Sequence, residues 1–224
     1  MVTAIIVAAG SSRRMGFDKL GAELCGRPVL RRTLDAFESC EDVDSIIVVA
    51  AEDRKATIES WGLKKLASVI EGGAARHNSV SNGLNAVPEG AEFVAVHDGA
   101  RPLVSPEAIS QCIAVAKESG ASALARPVTD TMKRVDGERA VSGSVERIGL
   151  WAMETPQVFS LEGIRAAYKR ISDRGEAVTD EVSAMQTIGG RVYLVESLAP
   201  NLKVTFPRDL GMAEALLRCA KESR

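Results

Sequence analysis

Histidine is scarce in this chain. Only His77 and His97 occur among 224 residues, which leaves no multi-histidine metal site to build. The four cysteines, Cys25, Cys40, Cys112 and Cys219, stand far apart with no Cys-x-x-Cys pair. Neither a disulfide framework nor a structural zinc site is therefore expected, and a reducing cytoplasm suits the chain. No apolar run approaches the ~20 residues of a membrane-spanning helix. The apolar first ten residues are too short for a secretory signal, lack its basic flank, and read as a buried strand. Positive charge is not in excess either: 28 Lys and Arg against 30 Asp and Glu give a net charge of -2. That balance argues against a dedicated nucleic-acid binder, though a local cationic cluster for a small anion remains open. What is present is ordinary globular composition, 46% apolar and 26% charged, which excludes disorder and low complexity. A chain of this length can bury roughly 70% of its unfolded surface, enough for one real core.

The order of segments reads strand, loop, helix, repeated. Residues 3–9 and 45–51 are continuous β-branched and small apolar runs, the pattern of strands covered on both faces. Residues 93–96, 121–128 and 191–195 read as further strands. Helical patterns fall at 28–37, 53–61, 161–171, 180–188 and 207–221. Ser105-Pro106-Glu107 opens another helix, to about Ser119, with a cap residue and a proline in the first turn. This alternation predicts a single α/β domain over 1–224 with a mostly parallel sheet. Residues 129–154 break the rhythm: Asp136-Gly137 marks a tight turn between short pieces at 132–135 and 140–145. A β-hairpin arm that leaves the sheet is expected there. A two-stranded ribbon is marginal alone, so a second subunit is a good candidate for its support.

Several segments carry chemistry. Ala8-Ala9-Gly10-Ser11-Ser12-Arg13-Arg14-Met15-Gly16 follows the first strand, at the sheet edge where α/β folds bind ligands. Small residues let a backbone approach phosphate, and Arg13, Arg14 and Lys19 add charge. The loop is neither a GxGxxG dinucleotide fingerprint nor a GxxxxGK[ST] P-loop. His97-Asp98-Gly99-Ala100-Arg101-Pro102 places an Asp at a strand end, able to hold magnesium directly or through water, and an Arg able to grip phosphate. A plain Asp–Arg loop staple is the bland alternative, and His97 reads better as a packed or hydrogen-bonded residue. Gly72 to Val80 is a glycine turn into a helix, where the backbone near Gly73 and the Ser79 hydroxyl are candidates to read a base, or merely a cap. Asp180 and Glu181 read as helix capping, Thr155-Pro156-Gln157 as a turn, and 201–205 as a short strand bearing Lys203. Taken one by one, the charges at 129–133 and 146–147 read as an ordinary hairpin.

In this order, the motifs Ala8 to Met15, His97 to Pro102, Asp130-Thr131-Met132-Lys133, Glu146-Arg147 with Gly149-Leu150-Trp151, Thr155-Pro156-Gln157, Thr179-Asp180-Glu181 and Asn201 to Thr205 resemble the 2-C-methyl-D-erythritol 4-phosphate cytidylyltransferase family over essentially the whole chain. The resemblance implies a Rossmann-like nucleotidyltransferase domain whose protruding β-arm clasps the other subunit of a homodimer. It implies CMP transfer from CTP to methylerythritol phosphate in non-mevalonate isoprenoid biosynthesis, with magnesium accompanying the triphosphate near Asp98. By the same resemblance the nucleotide lies over Ala8, Ala9 and Gly10, with its base near Gly73 and Ser79. Arg14 and Lys19 match transition-state stabilisers, and Arg147 and Lys203 match residues that position the sugar phosphate. Asp98, Arg101, Thr131, Thr155 and Thr179 complete that pocket, with Thr131 and Arg147 acting across the dimer.

Three positions depart from the pattern. The loop from Met15 to Lys19 is short, with Asp18 where a proline usually precedes the lysine. Ala74 replaces a common acidic residue beside the base, pointing to looser base selectivity. Gly99 replaces a common alanine, expected to be benign. The competing readings are a cytidylyltransferase for another polyol phosphate such as ribitol 5-phosphate, and a non-catalytic nucleotide-binding module. A guanylyltransferase of the molybdenum-cofactor type shares only the glycine loop. A fused cyclodiphosphate synthase domain is not expected, nor a plastid transit segment, so a bacterial cytoplasm is the default.

Overall fold

The structure, a computed structural model, describes residues 1–10 and 15–222. The chain runs β1 (Val2–Ala8), β2 (Glu23–Leu24), β3 (Arg27–Pro28), α1 (Val29–Ser39), β4 (Ser45–Ala50), a 3-10 turn (Glu52–Arg54), α2 (Lys55–Ser60), β5 (Leu66–Glu71), α3 (Arg76–Asn85) and β6 (Phe93–Asp98). It continues through α4 (Pro106–Ser119), β7 (Ala121–Pro127), β8 (Met132–Val135), β9 (Val141–Val145), β10 (Trp151–Ser160), α5 (Leu161–Arg174), α6 (Glu181–Thr187), β11 (Tyr193–Glu196) and α7 (Pro207–Glu222). Seven strands form the central sheet in the order β11-β7-β10-β6-β1-β4-β5. All are parallel except β10, which runs antiparallel to both β6 and β7. The fold is the α/β, mostly parallel one that strand–helix alternation predicts.

Both faces of the sheet are covered, which is why its central strands are apolar throughout. Ala4, Ile6, Ile46 and Val48 face Leu30, Leu34 and Phe37 of α1 and Ile109 and Ile113 of α4. Ile5, Ile47, Val49, Val94 and Val96 face Val80 and Leu84 of α3, Ile164 and Ile171 of α5, and Met185 of α6. Alternate residues of one strand thus feed two separate cores, as strand geometry requires. Helix α4 starts as expected, with the Ser105 hydroxyl accepting from the Ala108 N–H at 3.2 Å and Gly120 closing it at φ +86°.

Several segments differ from the sequence reading, the short β2 and β3 among them. β5 is absent from it because Leu66–Glu71 is a short, half-polar edge strand. β10 is absent because it contains Glu154 and Pro156; the proline falls where the pairing register with β7 shifts between Met153 and Gln157, a position that tolerates a missing N–H. Trp151, Ala152 and Met153 already pair with β7, so the part of 129–154 that leaves the sheet ends sooner than expected. Residues 201–205 form no strand: a single backbone–backbone bond, Val204 N–H to the Ala100 carbonyl at 2.8 Å, joins them to the loop after β6, and side-chain bonds do the rest.

Gly83 lets α3 settle onto β1. A Cβ there would lie 2.6 Å from Cγ2 of buried Ile5 and 3.3 Å from Cγ2 of Val49. Both neighbours are β-branched and stiff. Overpacking of this kind costs about 1–3 kcal/mol, against about 1 kcal/mol gained in helix propensity. Gly83→Ala is therefore expected to lower the urea unfolding midpoint; an unchanged or higher midpoint would show that α3 has room to move.

Candidate active site

β1 lies at the point where the strand order reverses, with β4 on one side and β6 on the other, and a cleft of about 570 Å³ opens beyond its carboxyl end. One wall is the backbone of Ala8, Ala9 and Gly10. Gly73, Ala74, Arg76 and Ser79 form a second, and Asp98, Ala100 and Lys203 a third, with Lys19 reaching in from the loop after β1. Sequence distance is no guide to this grouping; the parallel strands deliver all four segments to one edge.

Asp98 sits at the centre. Its Oδ2 accepts from Lys203 Nζ at 2.7 Å and its Oδ1 from Arg76 Nε at 3.2 Å, while Arg101 Nε stands 3.6 Å away. Burial alone would raise the pKa of this carboxyl, but the charges of Lys203, Arg76 and Arg101 hold it well below the usual carboxylate range. Beneath it the Asp98 N–H donates to Thr155 Oγ1 at 3.1 Å, and Thr155 Oγ1 lies 3.0 Å from His97 Nδ1. His97 Nε2 is 3.3 Å from the Arg101 carbonyl. The set is self-consistent when the threonine hydroxyl donates to Nδ1 and Nε2 carries the imidazole proton.

The Gly73 turn is built as closely. The Gly73 N–H donates to Ser79 Oγ at 3.0 Å, and that hydroxyl donates to the Ala75 carbonyl at 3.2 Å. A Cβ on Gly72 would lie 2.2 Å from the Ala9 Cβ, so only glycine allows this turn to close on the residue that follows β1. At Gly99 this chain is packed around the glycine: an alanine Cβ there would sit 2.9 Å from Leu30 Cδ1 and 3.1 Å from the Val7 carbonyl oxygen.

The structure thus brings together Ala8, Ala9, Gly10, Lys19, Gly73, Ser79, Asp98 and Lys203. Arg14 lies outside the described residues. Thr155 and Arg101 stand behind Asp98 rather than on the cleft wall. The Thr155 hydroxyl is engaged by His97 and the Asp98 N–H, and the residue is 3% exposed. Arg101 makes the Asp–Arg contact of the bland alternative, its Nε 3.6 Å from Asp98 Oδ2, and its Nη1 donates to the Asn201 carbonyl at 2.7 Å. Thr131 and Arg147 lie exposed at the base of the hairpin, where Arg147 Nη1 donates to the Thr129 carbonyl at 2.5 Å, and neither lines the cleft of its own chain. Thr179 is exposed just before α6, its hydroxyl 3.4 Å from that of Ser183.

Two residues read from the sequence only as a cap and a turn complete the framework. Glu181, read as a cap, is fully buried: Asp180 does the capping, accepting from the Ser183 N–H at 3.0 Å. Glu181 instead takes both Arg76 Nη groups, at 2.7 and 3.0 Å, and the Tyr168 hydroxyl at 2.9 Å. Gln157, also buried, fastens α6 to β10 by accepting from the Glu181 and Val182 N–H groups, both at 3.1 Å. An isolated Arg at a helix start gives no sequence signal for such a bridge.

A nucleotide-sized cleft at this switch point, walled by strand-end backbone and two lysines around one carboxylate, defines an α/β nucleotidyltransferase. A family model for 2-C-methyl-D-erythritol 4-phosphate cytidylyltransferase matches residues 2–219, and the chain belongs to that family. An enzyme of that name from Alkaliphilus metalliredigens is 40% identical over 99% of this chain and 95% of its own length. One from a Synechococcus strain is 43% identical over 95% and 96%. Among solved structures, 4-diphosphocytidyl-2C-methyl-D-erythritol synthase from Anaerococcus prevotii superposes with a TM-score of 0.86 at 30% identity, covering 97% of this chain and 96% of its own.

Burial lowers the His97 imidazole from its ordinary 6.5 to about 3, Asp98 opposing and the Arg101 and Lys203 charges adding. The unfolded chain takes up this proton below its ordinary pKa, and the folded chain does so only near the lowered value. His97 therefore favours folding above pH 6.5 and loses that contribution as pH falls. Between pH 7 and 5 the loss is expected to be about 2 kcal/mol. Urea unfolding at both pH values checks this: His97→Gln should flatten the difference, and an equal slope in the variant would place the proton elsewhere.

Proposed function

We infer that this chain performs the reaction for which its family is named, transfer of CMP from CTP to 2-C-methyl-D-erythritol 4-phosphate in isoprenoid precursor biosynthesis. The observation that carries the reading is the cleft itself, which glycine-lined backbone, Lys19, Lys203 and the carboxylate of Asp98 line together. A phosphate oxygen of the sugar phosphate attacks the α-phosphorus of CTP. The new P–O bond forms as the bond to the β-phosphate oxygen breaks, and pyrophosphate leaves with the electron pair. The second pKa of a phosphate monoester is about 6, so the nucleophile is already largely ionised and no general base is needed. That accounts for a site without a titrating histidine. The chemistry then depends on alignment and on neutralising charge around phosphorus.

The residues divide these tasks. The backbone of Ala8, Ala9 and Gly10 receives the nucleotide, and the turn at Gly73, shaped by Ser79, meets the base. Arg14 and Lys19 neutralise charge that grows on the triphosphate during transfer. Lys203 draws the attacking phosphate in, oriented by Asp98; Arg101 and Thr155 hold Asp98 in place, and Thr179 borders the polyol. Asp98 is the one carboxylate among the described residues lining the cleft, and a single carboxylate with phosphate oxygens and water suits magnesium. Among those residues no group of three His, Cys, Asp or Glu converges, which fits a metal held chiefly by the nucleotide. Magnesium, when bound, supplies further positive charge at the triphosphate, and Asp98 would hold it.

The hairpin of β8 and β9 supports a homodimer. Met132, Val135, Val141 and Ile148 are exposed apolar residues on or beside a two-stranded ribbon, and a second subunit would cover them. In that arrangement Thr131 and Arg147 reach the partner's cleft. Among the described residues no helix is long and apolar enough to cross a membrane. A cytoplasmic enzyme is the reading that four separated cysteines without a Cys-x-x-Cys pair suit.

Pyrophosphate release, assayed with magnesium and each nucleoside triphosphate against methylerythritol phosphate and ribitol phosphate, tests the substrate assignment. Release with CTP and methylerythritol phosphate is expected; release only with ribitol phosphate, or none despite CTP binding, would overturn it. Lys19→Ala should lower kcat about a hundredfold or more while CTP affinity changes little, the signature of an interaction made in the transition state. Equal losses in both would assign Lys19 to ground-state binding.

A further inference from the structure

The segment 18–21 is fastened more firmly than a surface loop requires. Asp18 Oδ1 accepts from the Leu20 N–H at 3.0 Å, and Oδ2 accepts from the Gly21 N–H at 3.1 Å. The carboxylate therefore folds back over the two residues that follow Lys19. Arg54, from the 3-10 turn after β4, donates through Nη2 to the same Oδ1. Gly21 has a third part in this. A Cβ there would lie 2.5 Å from Asp18 Oδ2, so the missing side chain is what admits the carboxylate.

Between Asp18 and Gly21 stands Lys19, whose Nζ reaches the cleft and donates to the Val204 carbonyl at 3.0 Å. Partial burial works to raise the Asp18 pKa, but the hydrogen bond and charge of Arg54, with the two N–H donors, outweigh it and hold the carboxyl below its ordinary value. The group is ionised at neutral pH. An ion pair with an Asp as exposed as this one, at 47%, adds little to stability. What it does is tie the loop bearing Lys19 to the end of β4, the strand beside β1.

We propose that Asp18, anchored by Arg54, is a positioning device for Lys19: it fixes the backbone from which the lysine reaches the triphosphate. A proline stiffens a chain by restricting φ; here a carboxylate bridging two N–H groups and a guanidinium performs that task. The proposal rests on the reading of Lys19 as the cation that stabilises the transition state, and the test separates the two.

The experiment compares the full-length parent with Arg54→Ala, Arg54→Lys, Asp18→Asn, Lys19→Ala and the Arg54→Ala/Lys19→Ala pair, measuring kcat, CTP dissociation constant and thermal midpoint. A misplacement of about 1 Å costs up to ~100-fold in rate, so Arg54→Ala is expected to lower kcat about tenfold or more, with CTP affinity within about twofold. Arg54→Lys keeps the charge without the planar fork and should recover part of the rate. Asp18→Asn keeps an acceptor for the Leu20 N–H, loses the charge that holds Arg54, and should move kcat the same way; it serves if Arg54→Ala does not fold. In the Lys19→Ala background Arg54→Ala should have no further effect, because its action passes through the lysine. Unchanged kcat in Arg54→Ala and Asp18→Asn, a full further loss in the double variant, or a fall in CTP affinity matching the fall in kcat would overturn the proposal. Lys19→Ala with parental kcat would overturn the reading of Lys19 and the proposal with it.

Discussion

The carboxylate of Asp98 is the constraint on which the site depends. Lys203, Arg76 and Arg101 all point toward it, and without it three cations would crowd a largely buried corner. The two arginines each have a second anchor that draws a different part of the fold inward. Arg76 links Asp98 to Glu181 and so to α6. Arg101 holds residue 201 through its carbonyl. Lys203 brings the segment before α7 to the cleft wall. Burial makes an ionised carboxylate expensive unless it is paired and hydrogen-bonded, and here both conditions are met from above and below.

The layers beneath Asp98 serve the same end. His97 and Thr155 form a neutral, hydrogen-bonded floor, buried between β6 and β10. Because burial keeps the imidazole uncharged, it adds no fourth cation to the cluster. The antiparallel β10 explains how residue 155 comes to lie beside residue 98 at all. Gln157, two residues further along that strand, holds the start of α6 and with it Thr179 and Glu181. Fold and site are thus joined at one strand whose sequence looks least like a strand.

That strand marks the limit of what the sequence made legible. β1, β4, β6 and the helices α1, α4, α5 and α7 follow from apolar periodicity, caps and prolines, and the cleft residues Ala8 to Gly10, Lys19 and Asp98 follow from motifs at strand ends, whereas Lys203 enters only through the family resemblance. β10 is hidden by Glu154 and Pro156, which local rules assign to a turn, and only pairing on both edges makes it a strand. Glu181 is hidden for a different reason. A carboxylate at the start of a helix has a sufficient local explanation, so nothing in the pattern points to an arginine over a hundred residues away. The Thr155 hydroxyl shows the converse: the family motif assigns it to the substrate pocket, while its hydrogen bonds set it behind Asp98, off the cleft wall.

A crystal structure of the chain with CTP bound tests the central claim most directly. The account predicts the triphosphate over the backbone of residues 8–10 beside Lys19, the base against the Gly73 turn, and Lys203 on the far wall facing the α-phosphorus. A nucleotide bound away from this cleft, or one whose α-phosphorus faces away from Lys203, would contradict it.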